Sequence, residues 1–173
     1  MMNTRSILVV YASRYGSTQE AAETVADALR QAGLRVDLEL MREVKSLEPY
    51  DAIVLGAAIY NTKWHPDAHE FLSQHEEILR QRPVAIFSLG PTTRNPAAKK
   101  RSLSQLDRDL AKYPWLKPVA LEMFVGKYDL SKMGLGSVGR LVPLPDNRDL
   151  NAVRAWANTL PSQFEHAEIL QHA

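Results

Sequence analysis

The 173-residue sequence contains no cysteine. This absence excludes disulfide bonds, thiolate catalysis and cysteine-bound iron–sulfur clusters. Any redox chemistry would therefore need a borrowed cofactor.

Strong net charge and long apolar runs are also lacking. The 21 basic and 20 acidic residues give a net charge of +1, which argues neither for nor against an anionic partner. We predict no nucleic-acid partner. No apolar stretch approaches the roughly 20 residues of a membrane span, and we expect no integral membrane segment. The N-terminal residues do not resemble a signal peptide, which predicts a cytoplasmic protein.

The residues that are present predict one α/β domain over residues 1–173. Apolar runs typical of strands alternate with segments of helical periodicity, and residues 35–40 read as an edge strand. The predicted fold is a three-layer sandwich, in which a five-stranded parallel sheet of order 2-1-3-4-5 carries helices on both faces. We predict strands at 7–11, 35–40, 52–58, 84–89 and 119–125, and helices at 18–29, 68–79, 103–113 and 153–160.

Three loops follow the first, third and fourth predicted strands, where ligands bind in such sheets. The first, at 13–18, offers hydroxyls, a glycine and the start of a helix, which suit a phosphate. A simple capped turn is the alternative. The second loop, at 57–65, contains Tyr60 and Trp64, which would either stack on a ligand or cover the core. The third, at 88–96, is suited to reading the edge of a heterocycle through its backbone.

Other motifs are rejected. Residues 134–139 match G-x-G-x-x-G, but no buried strand precedes them and prolines follow. His65 and His69 are four residues apart without a third ligand, so we predict no metal site. Lys127 and Tyr128 follow the last predicted strand, and we favour reading them as the start of a surface loop. The alternative is that they approach the same crevice, with the irregular segment at 129–148 as a lid.

The first loop, Ser13-Arg14-Tyr15-Gly16-Ser17-Thr18, resembles the phosphate loop of the flavodoxin-like family. Ser13, Gly16 and Thr18 match the family pattern, and Tyr15 departs from it. Residues 54–60, followed by a histidine, are similar to the flavodoxin-domain branch that includes menaquinone-dependent protoporphyrinogen dehydrogenases. The resemblance covers essentially the whole chain.

The resemblance implies an FMN site in the three loops, with the flavin rather than a catalytic side chain carrying the chemistry. It also implies an oxidoreductase that passes electrons or hydride to a quinone-like or other planar acceptor. An electron-transfer flavodoxin serving a redox protein is the alternative, and a non-redox domain for another phosphorylated ligand is a third reading. The implied cofactor-binding residues are Ser13, Arg14, Tyr15, Gly16, Ser17, Thr18, Ala58, Ile59, Tyr60, Asn61, Trp64, Leu89, Gly90, Thr92 and Arg94.

Within this site each loop has a separate expected role. The first loop would hold the phosphate, the second would lie along the flavin ring with Tyr60 or Trp64 stacked on it, and the third would border the pyrimidine end. A cation there, from Lys63 or Arg94, would raise the two-electron potential by stabilising negative charge on the reduced ring. The oligomeric state is left open.

Overall fold

The computed structural model describes residues 4–127 and 146–172. Five parallel strands form a sheet of order β2-β1-β3-β5-β6, and the two-residue β4 pairs antiparallel with β3. Leaving out β4, this is the predicted order 2-1-3-4-5, so the predicted fold class is confirmed. The strands are β1 Ser6–Ala12, β2 Arg35–Leu40, β3 Ala52–Tyr60, β4 Lys63–Trp64, β5 Val84–Leu89 and β6 Ala120–Phe124.

Helices cover both faces of the sheet. They are α1 Ser17–Gln31, α2 Pro66–Gln74, α3 Glu76–Leu79, α4 Pro96–Leu110, α5 Leu150–Ala157 and α6 Leu160–His172, with a short 3-10 helix at Met41–Glu43. Ile7 and Val9 of β1 pack into the core that includes residues of α1, α5 and α6. Leu8 and Val10 pack into the core that includes residues of α2 and α4. The continuous apolar run of β1 follows from this burial on both faces.

Two predicted helices are each divided in the structure. The helix expected at 68–79 is interrupted at His75, which has φ −113° and ψ 15°, and becomes α2 and α3. The last helix is α5 followed by α6, separated at Asn158 and Thr159. Apolar periodicity continues across both breaks, so the pattern alone could not reveal them.

Gly33 ends α1 as its position in the sequence predicts. Its φ is +86°, its N–H bonds to the Arg30 carbonyl at 2.9 Å, and the Leu34 N–H bonds to the Leu29 carbonyl at 3.2 Å. This pair of bonds is the Schellman motif, in which a left-handed residue satisfies the last carbonyls of the helix.

The predicted second loop is largely a β-hairpin. β3 continues past Ala58 to Tyr60, and the chain turns back into β4 through Asn61 and Thr62, with φ of 45° and 68°. Two central residues with positive φ are typical of a type I′ hairpin turn. Tyr60 pairs with Lys63 across the hairpin, so the wall beyond the third predicted strand is paired backbone rather than irregular loop.

Some predictions concern residues outside the described ranges. These are the rejected glycine motif at 134–139, Tyr128, and all of the irregular segment up to residue 145. Within the described ranges, no helix combines the length and apolar character needed to cross a membrane.

Candidate functional site

A cleft lies at the carboxyl ends of β1, β3 and β5. The chain continues from β1 to β2 on one side of the sheet and then to β3 on the other side, so the strand order reverses at β1. Ligands of doubly wound sheets bind in the crevice at this reversal. The sheet thus brings residues of all three predicted loops together. The cleft is lined by Ser17, Ala58, Ile59, Tyr60, Leu89, Gly90, Thr92, Gly126 and Lys127.

The first loop presents the start of α1 to this cleft. Gly16 is the N-cap residue, with φ 91° in the left-handed region, and no side chain caps the helix. The Ser13 hydroxyl oxygen instead accepts the Gly16 N–H at 2.9 Å. The buried Ser17 Oγ has no hydrogen-bond partner among the residues that the structure describes. An unpaired hydroxyl beside the positive end of a helix fits the phosphate of a nucleotide cofactor.

The other residues of the first loop differ in burial and in contacts. Thr18 is buried, with 2% of its surface exposed. Arg14 is exposed, and its guanidinium carbon lies 5.6 Å from the centre of the Tyr15 ring. The Tyr15 ring in turn meets Tyr60 edge to face at 5.7 Å.

The two aromatic residues of the hairpin separate into different environments. Tyr60 is partly buried and lines the cleft. Trp64 is 2% exposed and packs in the core with Leu72 and Leu106. Of the two aromatic residues considered for stacking, Tyr60 is therefore the one at the cleft, and Trp64 has the core-covering placement that was the alternative.

Asn61 and Arg94 also lie away from the cleft lining. Asn61 is exposed at the hairpin turn. The Arg94 Nε donates to the Asn147 carbonyl at 3.2 Å, and Asn147 Nδ2 donates to the Thr92 carbonyl at 2.9 Å. Arg94 therefore joins the third loop to the segment before α5.

Glycines allow the floor of the cleft to close. The Gly90 N–H bonds to the Phe124 carbonyl and the Gly126 N–H to the Pro91 carbonyl, both at 2.9 Å. A Cβ on Gly90 would lie 2.5 Å from the Met123 sulfur, and one on Gly126 would lie 2.9 Å from the Gly90 oxygen. A side chain at Gly126 would push its segment away from the backbone of the third loop, whereas a side chain at Gly90 would require the Met123 side chain to shift.

Lys127 lines the cleft, which is the alternative placement rather than the favoured surface loop. Its Nζ lies 3.3 Å from Asp146, which also pairs with Arg148, and Arg148 in turn pairs with Glu20 of α1. Hydrogen bonds from Arg148, with a further one from Lys127, hold the pKa of the Asp146 carboxyl well below its usual range. The sequence did contain a signal for the placement of Lys127, because this residue directly follows the last strand and so lies at the same sheet edge as the three loops.

A separate basic groove lies alongside the hairpin and shares Tyr60 with the cleft. It is lined by Ser13, Arg14, Arg42, Tyr60, Asn61, Lys63, Trp64, His65, Pro66, Asp67, His69, Asp109 and Lys112. Arg14, Arg42, Lys63 and Lys112 are its cations, and Asp67 and Asp109 are its carboxylates. Sequence reasoning missed this surface because it draws on four separate stretches of the chain, at 13–14, 42, 60–69 and 109–112.

Asp109 fixes the hairpin from α4. Its carboxylate accepts the Trp64 backbone N–H at 2.8 Å and pairs with Lys112 at 2.6 Å. The bonds from Lys112 and Trp64 outweigh the opposing effect of burial and lower the pKa of Asp109. A buried carboxylate with these partners restrains the position of β4.

Both histidines of the groove take part in hydrogen bonds. His69 Nδ1 lies 2.7 Å from the Tyr113 hydroxyl, and His65 Nδ1 accepts the Asp67 N–H at 3.2 Å. Burial lowers the pKa of both rings. Within the described ranges, no group of three or more histidine, aspartate or glutamate residues could hold a metal ion.

Comparison with known proteins identifies the class of this fold and site. A family model described as a flavodoxin domain matches residues 8–137. The chain therefore belongs to the flavodoxin-domain family and is a flavodoxin-like redox flavoprotein.

The curated relatives match only part of the chain. The protoporphyrinogen IX dehydrogenase (quinone) of Escherichia coli strain K12 is 30% identical over 91 residues, which make up 51% of this chain and 50% of that protein. The chain thus spans about half the length of the curated relatives it matches.

Solved flavodoxins match nearly the whole chain. Flavodoxin 2 of Bacillus cereus has a TM-score of 0.57 at 20% identity, with 94% of this chain and 99% of that chain covered. The flavodoxin of Streptococcus pneumoniae TIGR4 has a TM-score of 0.58 at 17% identity, with 91% and 99% covered. At these identities the likeness establishes the fold alone.

Proposed function

We propose that the protein is an FMN-dependent oxidoreductase that passes electrons or hydride to a quinone-like or other planar acceptor. The observation that carries the proposal is the buried, unpartnered Ser17 hydroxyl, which lines the cleft next to the uncapped start of α1. The proposal treats residues 1–173 as one FMN-binding domain and places it in the cytoplasm, which cell fractionation would check.

The first loop would hold the FMN phosphate. The Ser17 hydroxyl and the first N–H groups of α1 supply donors without a cationic side chain. Gly16 shapes the turn through its left-handed φ, and Ser13 fixes it through the bond to the Gly16 N–H. Thr18, which is buried in the first turn of α1, would contribute its hydroxyl to the same phosphate site.

The flavin ring would lie between the hairpin and the third loop. Ala58 and Ile59 leave room for it at the end of β3, and Tyr60 offers an aromatic face. Leu89, Gly90 and Thr92 would border its pyrimidine end through backbone N–H and C=O groups. Lys127 would supply the positive charge there that sequence reasoning sought from Lys63 or Arg94.

When bound, FMN would supply the redox chemistry. An organic donor such as a porphyrinogen would lose two electrons and two protons, and a quinone would gain the same to become a quinol. The protein's residues would bind and orient the ring and limit access of water. The name of the E. coli relative, protoporphyrinogen IX dehydrogenase (quinone), supports an enzyme of this type.

An electron carrier for a redox protein is the second candidate. It is supported by the flavodoxin-domain model that matches residues 8–137. The two candidates differ in turnover, because an enzyme reduces a quinone catalytically with a small-molecule donor, whereas a carrier exchanges single electrons with a protein.

The first experiment is an FMN titration followed by visible absorbance and fluorescence. We expect a yellow one-to-one complex, and Ser17→Ala to weaken FMN binding by about tenfold, roughly the 1.4 kcal/mol of one hydrogen bond to a charged group. Ser104→Ala on the exposed face of α4 is the matched control and should leave binding unchanged. A protein that ignores FMN would overturn the proposal.

The second experiment separates the two candidates. The FMN complex is reduced stepwise with dithionite and then offered a quinone together with a small-molecule donor. Reduction in a single two-electron step with catalytic quinone turnover would support the oxidoreductase. Two well-separated one-electron steps without turnover would support the carrier.

A further inference from the structure

We propose that the basic groove binds anionic substituents of the planar substrate that exchanges electrons with the flavin. These substituents would be carboxylates or sulfonates. This inference rests on the proposed function. It assigns the groove a role distinct from the cleft, in which cofactor binding and substrate selection use different residues.

The cations of the groove are unequally paired. Asp109 is bound by Lys112 at 2.6 Å, and Asp67 lies 3.9 Å from the His65 ring. By contrast, the exposed side chains of Arg42 and Lys63 form no ion pair or hydrogen bond with any other residue in the described part of the chain. The groove therefore presents positive charge that its own carboxylates do not neutralise.

Arg14 and Arg42 come from separate segments and line the same groove as His65. Both guanidinium groups add to the effect of burial in lowering the pKa of His65, and Asp67 only partly opposes them. His65 also has a defined donor, because its Nδ1 accepts the Asp67 N–H and the proton of the neutral ring then sits on Nε2.

The groove and the cleft are connected through Tyr60, which lines both. A ring that reached the flavin across Tyr60 would place its substituents toward the groove. The hairpin that carries Tyr60 and Lys63 is anchored by the bond from the Trp64 N–H to Asp109. Lys63 therefore extends from a restrained strand, which favours binding of a substituent at a defined position.

A neutral substrate would form no ion pair with the cations of the groove. Bringing an anion to the unpaired side chains of Arg42 and Lys63, with Arg14 on the same groove, is favourable at low ionic strength and weakens as salt screens it. The chemistry of the groove thus predicts selection between planar substrates that differ only in charge.

The test uses the FMN-loaded protein and two probes, a sulfonated naphthoquinone and the same naphthoquinone without the sulfonate. We expect the sulfonated probe to have the higher kcat/KM, and the Arg42→Gln/Lys63→Gln double variant to reduce the ratio of the two values about tenfold, through KM rather than kcat. Binding of the sulfonated probe, followed by the change in flavin absorbance without turnover, should weaken in parallel. Raising ionic strength from ~0.01 M to ~1 M should narrow the preference.

Arg101→Gln removes an exposed cation of α4 and is the matched control, which should leave the ratio unchanged. The FMN affinity of every variant is measured first. If FMN does not bind the unaltered chain, the proposed function fails. If FMN binds but the double variant or salt leaves the ratio unchanged, the groove inference alone is overturned.

Discussion

The cleft and the basic groove share the wall formed by Tyr60 but are built from different parts of the chain. The cleft is lined mainly by small or apolar residues at strand ends and has one cation, Lys127, among its lining residues. The groove is lined by long charged side chains and two histidines. Backbone therefore dominates one site and side chains dominate the other.

This difference suggests how the two sites would respond to mutation. A site built from N–H groups at a helix start depends on backbone conformation, so only changes that move the backbone should disturb it strongly. A site built from exposed cations depends on charge, and its residues can be replaced without affecting the fold. The predictions below test whether the two sites are separable, from the largest expected effect to the smallest.

Asp109→Ala should affect both sites at once. It removes the acceptor of the Trp64 N–H and leaves that buried donor unpaired, which should lower the free energy of unfolding by about 2–3 kcal/mol. Because Asp109 anchors the hairpin, FMN affinity should fall as well. Chemical denaturation and FMN titration measure the two effects.

The control is Asp107→Ala, an exposed carboxylate of the same helix. It should change neither quantity by more than about 0.5 kcal/mol. An Asp109 variant with unchanged stability would show that the hairpin does not depend on this carboxylate.

Gly16→Ala should affect the cleft and leave the groove charge intact. Gly16 and Gly33 both have positive φ, 91° and 86°, and stand at opposite ends of α1. Alanine at either position should cost about 1–2 kcal/mol of stability. Only Gly16→Ala should also weaken FMN binding, by about tenfold, because the phosphate loop begins there.

FMN titration of the Gly16→Ala and Gly33→Ala variants compares their FMN affinities, and the two variants should have lost similar amounts of stability. Equal losses of FMN affinity in the Gly16 and Gly33 variants would contradict a specific role for the first loop.

Lys127→Gln should change the flavin potential rather than the fold. Without this cation the added negative charge of the reduced ring is less favourable, so the two-electron midpoint potential should fall by about 20 mV, roughly 1 kcal/mol. The effect is modest because Asp146 already partly neutralises Lys127. Spectroelectrochemical titration measures it.

Lys63→Gln is the comparison for this prediction, since Lys63 lies in the groove instead of the cleft. A larger shift of the potential from Lys63→Gln than from Lys127→Gln would exchange the roles assigned to these two residues.

Acidification should lower stability through the histidines of the groove. The pKa values of His65 and His69 lie below the ordinary 6.5 in the folded protein, so the unfolded chain binds more protons as pH falls. Their contribution is complete above about pH 6.5 and is lost as pH drops through the lowered values. The melting temperature should therefore fall by a few degrees over that interval.

The variants that test this are His65→Gln and His69→Gln, which should flatten the dependence on pH. Ser17→Ala in the cleft should leave it as steep as in the unaltered chain. If the melting temperature of the unaltered chain did not change with pH in that interval, His65 and His69 would make no pH-dependent contribution to stability.

Much of the fold and part of the cleft could be predicted from local sequence pattern. The strand order followed from alternation of apolar runs and helices, and the end of α1 followed from Gly33. Of the predicted site residues, Ser17, Ala58, Ile59, Tyr60, Leu89, Gly90 and Thr92 line the cleft. The reason is that parallel strands bring their carboxyl ends to one edge, so that sequence position fixes spatial position there.

The placement of individual side chains depended on tertiary contacts. Trp64 and Tyr60 are equivalent as aromatic residues in sequence, but antiparallel pairing in the hairpin puts Trp64 in the core and Tyr60 in the cleft. Arg94 and Lys127 are both cations after a strand, and the contact with Asn147 draws Arg94 away.

The sequence by itself determined the class of sheet, its strand order and the loop at the start of α1, because these follow from periodicity and local backbone preference. Only the tertiary structure decided that Lys127 lies at the cleft and that Arg14, Arg42 and Lys63 form one basic groove. These residues come from segments far apart in the chain, and their proximity results from packing around two cores rather than from any spacing in the sequence.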